Sequence, residues 1–211
     1  MDEPALFPIF LKLSGRACVV VGGGSVAEGK IRSLLEAGAK MRVISPKVTE
    51  QIVAWSREAR LKWAARNFKN GDLRNAFLVV SATNDGEVNA AVRAEAEKLG
   101  ILCNAVDDPE HCNFYYPAIV RRGPLQIAIS TAGQSPALAQ RLRVELEQQF
   151  GPEYEEWVRE LGEVRQRLFA KSDLDPELRR HELHNQASQA AFGAFIATLR
   201  PAKTSADEDA A

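Results

Sequence analysis

The sequence predicts an α/β fold: a parallel sheet with helices on its faces, then a small β-containing segment and a helical C-terminal part. Three observations lead there. Residues 17–21 (ACVVV) form a short apolar run suited to a strand buried on both faces. That run leads directly into Gly22, Gly24 and Ala27, spaced G-x-G-x-x-A. Up to residue 106, further β-rich runs alternate with amphipathic helical ones, which implies parallel pairing through right-handed crossovers. This is the Rossmann arrangement.

The elements follow in order. Residues 6–13 (LFPIFLKL) are apolar but interrupted by Pro8, and are expected to cross the sheet as an extended segment. After the first strand, a helix is expected over residues 25–37, with Val26, Ile31, Leu34 and Leu35 toward the sheet and Gly38 as its stop. Residues 41–45 form the second strand, 48–58 a helix, 61–65 the third strand and 77–82 a strongly apolar fourth. A helix over residues 87–99 ends at Gly100, and residues 101–106 form the fifth strand. Beyond Asp108 the pattern changes. Residues 114–120 and 125–131 are β-rich and separated by RRGP, which predicts a hairpin or an antiparallel excursion. Ser135-Pro136 then opens a helix with Leu138, Leu142 and Leu146 on one face, ended by Gly151-Pro152. Helices over 154–170, 176–184 and 186–199 follow, and a polar tail predicted to be disordered. The expected organisation is a nucleotide-binding domain over 1–113, a β-hairpin and helix segment over 114–150, a helical part over 151–200 and a tail over 201–211.

Bulk properties narrow the function. With 211 residues, the chain suffices for one full domain and a smaller one, and 45% apolar with 26% charged residues is ordinary for a soluble globular protein. A formal net charge of -1 provides no global field to recruit nucleic acid or an anionic membrane. No apolar run approaches the ~20 residues of a bilayer span, and the N-terminus lacks a basic signal region. Cys18, Cys103 and Cys112 show no CxxC spacing, and the first two fall in expected strands as reduced core thiols. The chain reads as cytoplasmic.

The chemistry is expected beyond the carboxyl ends of the strands. Gly22 permits the tight turn, Gly24 lets a pyrophosphate approach the backbone, and Ala27 lets the helix lie close to the sheet. The helix N-terminus at Ser25 faces the phosphates with free N–H groups and a positive dipole end. An acidic ribose ligand is expected about 20 residues on, yet Ser45 and Lys47 stand there. Ser45 could bond a ribose hydroxyl and Lys47 would tolerate a 2′-phosphate, so NAD and NADP both remain open. Asp107, at the end of the fifth strand, is a candidate proton acceptor for hydride chemistry, or else a turn residue; Asp108 suits a structural role. Between His111 and Val144 stand Arg121, Arg122, Arg141 and Arg143 with no acidic residue, a pattern suited to a polycarboxylate or to a solvated basic face. His181 and His184 are three apart rather than four, and His111-Cys112 lacks further ligands, so no metal site is expected.

Several of these stretches together resemble the precorrin-2 dehydrogenase, or siroheme synthase N-terminal, family. The resemblance covers about residues 6–169. It rests on LFPIFLKLSGRACVVVGGGSVAEGKIRSLLEAGA, SATND, ILCNAVDDPEHCNFYYPAIVRRGPLQIAIST and the SPALAQRLR helix start. It implies oxidation of precorrin-2 to sirohydrochlorin with NAD as hydride acceptor, in a homodimer joined through the middle β segment and helices. Carried over by position, it implies that Gly22, Gly24, Ser25 and Val26 cradle the pyrophosphate, with Pro46 and Lys47 near the adenosine ribose. Thr83 and Asn84 would border the cofactor, Asn104 and Val106 would lie toward the nicotinamide, and Asp107 would be the catalytic acid–base group. The eight carboxylates of precorrin-2 fit a substrate site including Arg121, Arg122, Ser130, Thr131, Ser135 and Arg141. Some members also insert Fe2+ into sirohydrochlorin, and no residue pattern here separates one activity from two. Others carry a methyltransferase domain, for which this chain is too short. Two rivals from other classes stand beside this reading: a non-catalytic Rossmann nucleotide sensor, and a dehydrogenase for a small acidic metabolite.

Overall fold

The computed structural model describes residues 5–106, 108 and 112–199. The chain divides between Tyr116 and Pro117 into two compact units. The first holds β1 (Ala17–Val21), α1 (Ser25–Glu36), β2 (Lys40–Ile44), α2 (Glu50–Arg57), β3 (Leu61–Ala64), β4 (Leu78–Ser81), α3 (Gly86–Leu99) and β5 (Leu102–Ala105). Its five strands are all parallel, in the order β3-β2-β1-β4-β5. The chain therefore reverses its direction of winding between β1 and β4, which opens a crevice above them.

The valines of β1 and β4 are buried on both faces, as their continuous apolar runs require. On one face Ile31 and Leu34 of α1 and Ile52 and Trp55 of α2 pack on Val20, Val43 and Val80. On the other, Val92 and Ala96 of α3 and Leu73 cover Val19, Ile44 and Val79. Both α1 and α3 stop where the sequence places glycine. Gly38 and Gly100 take left-handed backbone at φ 76° and 65°.

Two expectations are corrected here. Val26 is 53% exposed rather than turned to the sheet, because it lies in the first turn of α1 beside the glycine loop. Residues 6–13 do not pack across the sheet: only Leu13 is buried, while Phe7, Ile9 and Phe10 are exposed. That segment joins no strand ladder among the described residues, so it inherits no buried face.

The second unit begins with the expected antiparallel hairpin, β6 (Ala118–Arg122) and β7 (Leu125–Ile129), in register from Arg122↔Leu125 to Ala118↔Ile129. A lone two-stranded ribbon is marginal in water. Here α4 (Pro136–Gln149) and α5 (Tyr154–Ala170) pack against it and bury Val120. Helices α6 (Pro176–Gln186) and α7 (Gln189–Leu199) complete the unit, with Trp157 of α5 meeting Phe192 edge-on and Phe195 at a tilt, both on α7. Among the described residues no helix is long and apolar enough to cross a membrane.

Candidate functional site

Loops leaving the carboxyl ends of the first four strands enclose a cavity of about 540 Å³. Its walls are the glycine loop with Ser25 and Val26, residues Ser45, Pro46 and Lys47 after β2, Asn67 and Phe68 after β3, and Thr83, Asn84 and Asp85 after β4. Eight positions read from the sequence as cofactor contacts thus meet around one space: Gly22, Gly24, Ser25, Val26, Pro46, Lys47, Thr83 and Asn84.

The three consecutive glycines have separate physical reasons. Gly22 has φ 122°, and a Cβ there would lie 2.1 Å from the Ala82 carbonyl oxygen, so the turn and its packing on β4 both exclude a side chain. At Gly23 a Cβ would lie 2.2 Å from the Lys47 carbonyl oxygen and 2.9 Å from the Ser45 hydroxyl. A Cβ on Gly24 would meet nothing within 4 Å. Packing therefore does not demand glycine at position 24; open approach to the backbone does.

Gly24 is also the N-cap of α1 and supplies no side-chain acceptor. Helices α2, α3, α4 and α6 are instead capped by the side chains of Thr49, Asp85, Ser135 and Asp175. The first N–H groups of α1 are left to a ligand, with the positive end of the helix dipole behind them. This is a fitting receptor for a dinucleotide's pyrophosphate.

Beside it, the Ser45 hydroxyl donates to the Lys47 carbonyl at 2.6 Å, and the Trp63 indole N–H donates to the Ser45 carbonyl at 2.9 Å. The expected ribose donor therefore already spends its proton on shaping the Ser45–Lys47 turn. Across the cavity, Asn89 of α3 accepts from the Ser81 hydroxyl at 2.6 Å and donates to the Thr83 carbonyl at 3.0 Å, which fixes the exit from β4.

Asn104 and Val106 stand apart from this cavity's lining. The Asn104 amide donates to the Phe114 carbonyl at 3.0 Å and ties β5 to the returning chain. Val106 packs on the core beside β1 and β4, its N–H donating to the Ser81 carbonyl at 2.9 Å. Asp107 lies outside the described residues. Asp108 pairs with Arg93 of α3 at 3.1 Å, as its structural reading expects.

Sequence reasoning passed over Gly23, Asn67, Phe68 and Asn89. The unbroken GGG was a usable signal for the first. Asn67 and Phe68 reach the cavity only because the chain between β3 and β4 folds back. There Arg66 holds Asp72 through two bonds of 2.7 Å, and the buried Glu95 carboxylate accepts from the Gly71 and Leu73 N–H groups at 3.0 and 3.1 Å.

Residues 9–118 match the family described as putative NAD(P)-binding, and residues 122–149 the one described as sirohaem biosynthesis protein central. The chain belongs to the siroheme synthase N-terminal family. It is 43% identical over 141 residues to the siroheme synthase of Neisseria meningitidis serogroup C (strain 053442), covering 67% of this chain and 29% of that one. To siroheme synthase 1 of Serratia proteamaculans (strain 568) it is 40% identical over 167 residues, 77% of this chain and 35% of that one. The chain spans about a third of the length of these curated relatives. Among solved structures it is similar to "SirC, precorrin-2 dehydrogenase", with a TM-score of 0.77 and 29% identity over 92% of this chain and 98% of that one.

The matched central segment holds Arg122, Arg141 and Arg143, with Arg121 just before it. Arg122 is a clamp: it donates to the carbonyls of Phe150, Glu147 and Arg121 at 2.8, 2.9 and 2.9 Å, which caps the end of α4. Arg141 pairs with Glu145 at 3.2 Å and Arg143 with Glu147 at 2.5 Å, both one helical turn on. The acid-free window ended at Val144, so linear counting missed the carboxylates that helical periodicity brings back. Ser130 accepts from the Ala132 N–H, Thr131 from the Ser135 N–H, and Ser135 from the Leu138 N–H, at 3.1, 3.1 and 3.3 Å. Each hydroxyl still carries its own proton to donate.

Proposed function

We propose that this chain is an NAD-dependent precorrin-2 dehydrogenase that oxidises precorrin-2 to sirohydrochlorin. The observation that carries the reading is the uncapped N-terminus of α1, set in a glycine-lined cavity with Lys47 on its wall. The likeness to a solved precorrin-2 dehydrogenase across nearly the whole of both chains supports the substrate assignment.

In this reading the N–H groups at Ser25 and Val26 hold the pyrophosphate, and Pro46 and Lys47 flank the adenosine ribose. NAD, bound there, supplies the hydride acceptor. The tetrapyrrole gives up one hydride and one proton, and the Asp107 carboxylate takes the proton. An aspartate of ordinary acidity is ionised at neutral pH and suited to that task. Its place in the sequence, two residues after β5 ends at Ala105, supports the role. Asn104 and Val106 border the nicotinamide side, while Arg121, Arg141 and the hydroxyls of Ser130, Thr131 and Ser135 receive substrate carboxylates. The active species is a homodimer; exposed Ile119, Leu138 and Val144 in the second unit support it.

The test is an anaerobic assay with enzymatically generated precorrin-2, following NADH formation together with the tetrapyrrole absorbance. Asp107→Asn should lower turnover by about 10²–10⁴ while NAD affinity stays unchanged. Unaltered turnover would return Asp107 to a turn role, and binding of precorrin-2 without reduction of NAD or NADP would refute the dehydrogenase. Adding Fe2+ to sirohydrochlorin in the same cuvette tests metal insertion, and light scattering tests the dimer.

A further inference from the structure

At the opposite, amino end of the sheet lies a second cleft, of about 360 Å³, that the dehydrogenase reading does not use. Its rim carries Lys40 and Arg42 of β2, Arg60 and Lys62 at β3, and Arg74 of the β3–β4 connection. Among the described residues no carboxylate lines it.

Two features make this more than a solvated basic edge. First, Arg42 and Lys62 are direct register partners on neighbouring strands. Both therefore project from one sheet face on adjacent strands, where neighbouring like charges repel. Second, the usual compensation is missing. Exposed arginines elsewhere, such as Arg32, Arg141 and Arg159, pair with a glutamate one helical turn away. Among the described residues Lys40, Arg42, Lys62 and Arg74 make no ion pair and no side-chain hydrogen bond. Asp72 feels the field of Arg42, but its two oxygens are already bound by Arg66 at 2.7 Å and by the Lys69 N–H at 2.8 Å. Arg60 is held by Glu58 at 3.6 Å and lies over the Trp55 ring.

The fold explains why the cleft is open. Residues 65–77 join β3 to β4 through turns instead of a helix, so α3 covers only the β4–β5 half of that face. Arg42 shares its face with Ile44, and that half is left to the connection alone.

We propose that this cleft is a binding site for a small multivalent oxyanion, separate from the cofactor cavity, with Arg42 and Lys62 as its central ligands and Lys40 and Arg74 at its margins. The cleft's size selects a compact ligand, and four unpaired cations select one with several negative oxygens. Phosphate and carboxylate groups share that chemistry.

The experiment measures binding of sodium diphosphate and of citrate to the full chain by calorimetry and by melting temperature, with ionic strength matched by sodium chloride. Arg42→Gln and Lys62→Gln are compared with wild type, and Arg32→Gln serves as a control away from the cleft. At least one anion should bind wild type, and each cleft variant should weaken it about tenfold or more. In low salt without the anion, both cleft variants should melt above wild type, because the in-register repulsion is gone. Tighter diphosphate binding assigns a phosphate-bearing ligand, and tighter citrate binding a carboxylate-bearing one. Absence of binding to wild type, or equal binding to wild type and both variants, overturns the site. NAD affinity unchanged in both variants shows that the first unit remains folded.

Discussion

Alanine at Gly23 and alanine at Gly24 should fail in opposite ways, although the residues are adjacent. At Gly23 the new Cβ would lie 2.2 Å from the Lys47 carbonyl oxygen and 2.7 Å from a Val48 methyl. Unstrained non-bonded atoms approach to about 3.5 Å, so the loop and the Ser45–Lys47 turn must part by ~1 Å. Overpacking of this kind costs about 1–3 kcal/mol. The same movement stretches the 3.0 Å bond from the Thr49 N–H to the Gly23 carbonyl, which is worth a further ~0.5–1.5 kcal/mol. Gly23→Ala should therefore lose on the order of 2–4 kcal/mol, a fall in melting temperature of roughly 5–15 °C. At Gly24 nothing stands within 4 Å of the added methyl, and alanine in place of glycine at an N-cap costs about 0.5–1 kcal/mol. Gly24→Ala should melt within about 4 °C of wild type. It should nonetheless bind NAD about tenfold or more weakly, because the methyl stands where the pyrophosphate must approach. Differential scanning calorimetry and titration with NAD read the two quantities separately. Wild-type NAD affinity in Gly24→Ala, or wild-type stability in Gly23→Ala, would refute this division of labour.

Other consequences can be measured on the same protein. The Arg66 guanidinium beside Asp72, aided by the Lys69 N–H, holds its carboxyl below the ordinary range against the opposing effect of burial. The folded pKa is thus below the unfolded one. Asp72's contribution is fully present above the unfolded carboxylate value and is lost as pH falls through the folded one, so Asp72→Asn should flatten the acid limb of a stability–pH curve. Burial pushes the Cys18 and Cys103 thiols up to about 11, so at pH 8 iodoacetamide should modify them only at the rate of unfolding, as mass spectrometry can follow. Ala59 occupies the left-handed position after α2 at φ 57°, where the Arg60 N–H reaches the Trp55 carbonyl at 2.9 Å. Ala59→Gly should raise stability by about 0.5–1 kcal/mol in urea unfolding, and a loss would contradict the strain argument.

Much of the fold was legible because its signals are local. The valines of β1, the stops at Gly38 and Gly100, and the Ser135-Pro136 helix start each act through their own backbone and nearest neighbours. The parallel pairing of the strands followed from the alternation itself, since strands joined through helices pair in parallel with crossovers of one hand. The glycine loop announced a phosphate-binding turn for the same local reason.

Where distant segments decide an outcome, the sequence was silent or misleading. Arg122 looked like a free cation and is spent on the end of α4, 25 to 28 residues along the chain. Ser45 looked like a ribose donor and is folded onto Lys47. Residues 6–13 looked like a strap over the sheet and remain largely exposed. Sequence by itself determined which segments become strands and helices and where a dinucleotide can approach, because periodicity, capping and glycine chemistry act over a few residues. Only the tertiary structure decided which charges remain unspent and that Arg42 stands in register with Lys62, because pairing and desolvation depend on neighbours in space, whatever their distance along the chain.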